Sequence, residues 1–137
     1  MPHDYNKEAF GRIGNDSSNP LCAVYCSLIV LELAIKDHFY TQVNPGSWRT
    51  GHSIIDWLTS DLNQSSLGSQ LANKLAALRC TDRNGNEVSV NPNLYPDLRY
   101  LRHEQDFHGK STDAELIEVM GIIQDIQDYL KTRGIIV

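Results

Sequence analysis

The densest run of arginine, histidine and tyrosine in the chain lies between Tyr95 and His108. Arg102 and His108 are separated by five residues, and Arg102 is followed at once by His103. A fixed cation and two imidazoles that titrate near neutrality therefore share one short segment. A guanidinium grips phosphate oxygens through its fork of donors, and an imidazole gives or takes a proton, so the set suits phosphate chemistry. The same residues also suit a solvated loop, in which Arg99, Tyr100 and Arg102 order the segment through carboxylates such as Asp97 or Asp106.

Other chemistry-bearing residues are more scattered. Cys22 and Cys26 stand one helical turn apart with no histidine or carboxylate at ligand spacing, which predicts core packing and no metal site. His38, His52 and Asp56 read as isolated polar groups near helix ends, explained by capping or solvation and second-tier as site residues. Gly11 and Gly14 follow no strand and precede no Lys-Ser/Thr pair, so they form no P-loop. No nucleophilic triad is legible locally, and no motif calls for a cofactor.

At 137 residues the chain fits one domain over 1–137 that buries a core without disulfides or metal. Hydrophobic residues make up 41% and charged residues 21%, a balance that predicts a folded chain. A formal charge of −5 argues against a broad basic face for duplex nucleic acid and confines any such contact to a local patch. The opening residues carry no basic, apolar leader, and the apolar stretch Leu28 to Ile35 contains Glu32, so neither export nor a membrane span is expected. Three cysteines, an odd number, then predict reduced thiols in the cytoplasm.

Four amphipathic helices must position the segment. Asn19 and Pro20 open the first, where Val24, Leu28, Leu31 and Ile35 form a buried seam from Leu21 to about Phe39. Glu32 and Lys36 pair one turn apart on it. Beyond the Asn44-Pro45-Gly46 break, Ile54 to Leu62 form a short second helix, and Ser65 or Ser66 caps a third carrying Leu67, Leu71, Leu75 and Leu78. Asn84-Gly85 with Val88 and Val90 predicts a small hairpin, inside a long ordered loop kept extended by Pro92 and Pro96. Thr112 and Glu115 form a capping box for the last helix, whose seam is Leu116, Val119, Ile123, Ile126 and Leu130 and whose end is Gly134. Tyr5 to Ile13 suggests a short extra helix, weakened by Gly11 and Gly14. The expected fold is all-α, an up-and-down four-helix bundle with a long ordered loop before the last helix. Ile117, Met120 and Ile122 leave apolar surface on that helix, which a homodimer would cover.

The bundle, the segment Leu31-Glu32-Leu33-Ala34-Ile35-Lys36, Gly51-His52 before the second helix and the run Arg102-His103-Glu104-Gln105-Asp106-Phe107-His108 together resemble the HEPN superfamily. Many of its members carry arginine, a polar residue and then histidine after a short spacer. Tyr95-Pro96-Asp97-Leu98-Arg99-Tyr100 is similar to a segment of a HEPN branch that does not imply ribonuclease activity. The resemblance implies a two-fold dimer and, in active members, metal-independent RNA cleavage at a site shared between protomers, often in toxin–antitoxin or phage-defence systems. It would make His108 the acid/base and Arg102 the transition-state clamp. His103 and Arg99 would contact phosphate, and Tyr95 or Tyr100 would stack on an unpaired base. In active relatives the motif commonly opens the last core helix, whereas here the Thr112 cap lies beyond His108, so a loop location is expected. The other implied class is a non-catalytic HEPN-like helical dimer that binds a nucleotide or a protein partner such as an antitoxin.

Overall fold

The computed structural model describes residues 3–16, 20–47, 49–82, 84–90, 102–103 and 112–135. Among them the chain is mostly helical, with α1 Asp4–Asp16, α2 Pro20–His38, α3 Ile54–Asp56, α4 Ser65–Ala77 and α5 Thr112–Thr132. Three two-residue strands, β1 Cys80–Thr81, β2 Glu87–Val88 and β3 Arg102–His103, form a sheet in the order β2-β1-β3. No helix among the described residues is long and apolar enough to cross a membrane.

Helix α2 is the centre, because it is apolar on several faces and α1, α5 and α3 all pack on it. Its seam of Val24, Leu28, Leu31 and Ile35 is wholly buried, and it meets the equally buried Leu116, Val119, Ile123, Ile126 and Leu130 of α5. Leu71 and Leu75 of α4, followed by Leu78, close the core from the other side of α5. Helix α5 ends as its sequence demands. The Gly134 amide donates to Lys131 and the Ile135 amide to Leu130, with Gly134 at φ +79°.

Several expectations are revised. The N-terminal segment is a full helix of 13 residues. Neither Ser65 nor Ser66 caps α4: both lie inside it, with Gln64 at the cap position making no side-chain bond. Thr112 is the first residue of α5. Ile122 is buried in the core, which leaves Ile117, at 68% exposure, as the exposed apolar residue of the expected dimer face and Met120 half-buried. The hairpin exists at Cys80–Val88, with Gly85 at φ +84° and Asp82 Oδ1 accepting the Asn84 and Asn86 amides, both at 2.9 Å.

Two helical ends widen beyond the α-helical turn. Phe39–Val43 continues α2 and Trp57–Asp61 continues α3 as π-helical turns, in which the Asn44 amide bonds Phe39 O and the Leu62 amide bonds Trp57 O, each at 2.9 Å. Such turns are rare and concentrate at functional sites.

Candidate functional site

Of the residues expected to do chemistry, the backbones of Arg102 and His103 are placed on β3, where Arg102 pairs with Thr81 and His103 with Cys80 in antiparallel register. A strand, not the expected loop, therefore holds them. Tyr95, Arg99, Tyr100 and His108 lie outside the described residues. Helix α5 opens at Thr112, downstream of His108.

A different set of titratable groups is assembled in full. Glu32 sits on the half-buried face of α2 that also carries Tyr25, Ile29 and Lys36. Its Oε1 meets His52 Nδ1, and its Oε2 lies 3.4 Å from Lys36 Nζ. A carboxylate only accepts, so Nδ1 carries the proton of that bond. His52 is thus no isolated group. The expected Glu32–Lys36 pairing is present, but it belongs to a larger cluster.

The loop that brings His52 to Glu32 is held at several points. Gly46 and Gly51 take φ of +82° and +87°, which a side chain would resist. Arg49 lays its guanidinium 3.7 Å from the Phe39 ring centroid and 5.7 Å from that of Trp57, and its Nη1 pairs with Asp61 at 2.7 Å. Phe39 and Trp57 meet edge-on at 6.3 Å, and Lys36 Nζ stands 6.0 Å from the Trp57 ring. Both aromatics are the first residues of the two π-helical turns. The result is a carboxylate beneath more exposed partners: the Glu32 side chain is 7% exposed, against 15% for Lys36 and 49% for His52, with Arg49 at 34% beside the same aromatic pair. It can orient an imidazole for proton transfer and present donors to an anion.

On the far side of α2, Lys7 is buried between Asp37 at 2.7 Å and Asp4 at 3.2 Å, and the His3 amide donates to Asp37 Oδ1 at 3.1 Å. Beside this pair a groove of about 580 Å³ runs between α1 and α5, lined by Arg12 and Asn15, Gln124 and Gln127, with Ser27 at its floor. Acids, bases and amides mix along it, so it selects no single charge. His38, the last residue of α2, has its pKa lowered by burial first and by Arg133 second. Cys22, Cys26 and Cys80 are free thiols, and burial, with Cys22 adding, pushes Cys26 up to about 11. Among the described residues no group of three or more histidine, cysteine and carboxylate side chains could hold a metal.

The Glu32 cluster was missed because its members lie twenty residues apart. One signal pointed to it: Glu32 interrupts the most apolar stretch of the chain, where a carboxylate must find partners or incur a desolvation penalty. Compared with known proteins, the chain matches no family model, no curated protein and no solved structure.

Proposed function

We propose that the protein is a HEPN-like up-and-down helical bundle acting as a homodimeric, metal-independent endoribonuclease. Arg102 is the transition-state clamp and His108 the acid/base, with His103, Arg99, Tyr95 and Tyr100 contacting RNA. The observation that carries the reading is the anchoring of Arg102 and His103 on β3 of a mostly helical body, a short run before α5. Six residues at roughly 3.5 Å each set about 20 Å as the farthest that His108 can lie from Arg102. Each protomer supplies one guanidinium and one imidazole, and two-fold symmetry doubles the set around one phosphodiester. The imidazole draws the proton from the 2′-hydroxyl as that oxygen attacks phosphorus, the guanidiniums hold the developing negative charge, and the proton passes to the departing 5′-oxygen as its bond to phosphorus breaks, leaving a 2′,3′-cyclic phosphate and a 5′-hydroxyl.

RNA cleavage assayed with chelator present tests this. The parent is expected to cut, and Arg102→Ala and His108→Ala are each expected to lose roughly 100- to 10,000-fold in rate. Intact RNA, or variants as fast as the parent, overturns it. A second reading, a non-catalytic HEPN-like dimer that binds a nucleotide or a protein partner, is favoured by the net charge of −5 and by α5 opening beyond His108. It predicts that Arg99→Ala and Arg102→Ala weaken nucleotide binding while no RNA is cut.

A further inference from the structure

We propose that Lys36, Arg49 and His52 form a binding site for a phosphate group, built on the buried carboxylate of Glu32 and the aromatic pair Phe39 and Trp57. The site lies apart in sequence from Arg102 and His108 and stands whether or not the protein cuts RNA.

Charge comes first. Lys36 and Arg49 balance the carboxylates Glu32 and Asp61 on a chain whose total is −5, and the half-exposed His52 ring stands beside them. The layering decides what a ligand meets first. Glu32 is nearly enclosed while Lys36 and His52 reach further out, so an anion approaching them meets those groups before the Glu32 carboxylate.

Donor capacity comes next. Lys36 has three N–H bonds and Arg49 five, and the described partners, Glu32 and Asp61, engage only part of them. Lys36 and His52 meet on Glu32, and Lys36 and Arg49 on the Trp57 ring, and donors gathered from separate segments suit a tetrahedral oxyanion with several acceptor oxygens better than a planar group. A base or other flat ring is not what this site takes, because Phe39 and Trp57 are buried and Arg49 and Lys36 stand over their rings.

The site is also held in place before any ligand arrives. The Arg49 guanidinium is fixed in orientation by the Phe39 ring and Asp61, and the His52 ring by Glu32. Fixed donors bind an anion without the ordering cost that free surface lysines and arginines incur. The two π-helical turns that begin at Phe39 and Trp57 give a second, independent mark on the same spot.

The test follows the side-chain N–H signal of Arg49 and the ring signals of His52 by NMR in the full chain. Inorganic phosphate, AMP and adenosine are titrated against sodium chloride at matched ionic strength. Saturable shifts at Arg49, His52 and the amides of 49–53 are expected with phosphate and AMP and not with adenosine or chloride. Equal affinity for phosphate and AMP would mean that the free ion is the natural form, and a tighter AMP that the group comes on an ester. Lys36→Gln and Arg49→Gln should each weaken binding about tenfold. Should Arg49→Gln disturb the loop, His52→Gln, altered at the surface, is expected to weaken binding severalfold in a folded chain. Shifts that track ionic strength alone, or that persist at full affinity in the variants, overturn the proposal. Because no cleavage is read, inert RNA leaves this result untouched.

Discussion

Lys7 and Asp37 join α1 to α2 through a charge pair taken almost wholly out of water. Removing both ions from solvent costs several kcal/mol each, and their attraction offsets this only while both are present. Asp37→Ala should therefore cost about 3–5 kcal/mol by leaving the Lys7 ammonium buried without its 2.7 Å partner. The double variant Lys7→Met with Asp37→Leu should recover most of that loss, since apolar side chains of similar size need no partner. Urea unfolding of the three proteins decides it: a double variant as weak as the single would mean that the pair adds net stability. Glu32 obeys the same rule with a different outcome. Its partners His52 and Lys36 reach the surface, so its burial serves to aim exposed groups as well as to join elements.

At the scale of elements, the ends of α5 show how tightly local chemistry can fix a boundary. Gly134 sits at φ +79° in open space, with nothing within 4 Å of an added Cβ, so the cost of a side chain there is that of the backbone alone. Gly134→Ala should lower stability by roughly 1–2 kcal/mol, the penalty of a left-handed residue, and thermal or urea melts that show no loss would refute the capping account. This boundary and the seams of α2, α4 and α5 were legible because apolar residues recur at the helical period and Gly134 follows the last of them. Helix α1 was underread because it is polar and carries two glycines. Its place is set by Lys7 reaching Asp37, a contact that no local window contains. The π-helical turns left no mark, since widening a turn by one residue changes the bonding and not the pattern. The strand at Arg102–His103 is two residues long, so alternation had nothing to act on, and only pairing with Cys80–Thr81 defines it. The Glu32 cluster was half legible: the odd carboxylate and its lysine were visible, but the histidine arrives through a loop set by Gly51 and by Arg49 on Phe39.

At the scale of the whole molecule, the question is whether one chain suffices. The proposed site takes an Arg102 and a His108 from each protomer around one phosphate, and an arginine of one chain with a histidine of the other is its smallest working set. Ile117 is the apolar residue that α5 leaves most exposed, a smaller patch than a large obligate interface requires, so subunits that associate here should exchange. That supplies a sharp test. Arg102→Ala and His108→Ala dimers, each inactive alone, are mixed and allowed to reassort, and at random exchange about half of the dimers carry one of each. Every mixed dimer retains one intact arginine and one intact histidine at the shared site, so cleavage should return well above the sum of the two variants measured separately. Native mass measurement confirms that mixed dimers have formed. If they have and RNA stays whole, the two side chains do not act across a two-fold axis, and the shared-site mechanism is lost even if the parent cuts RNA.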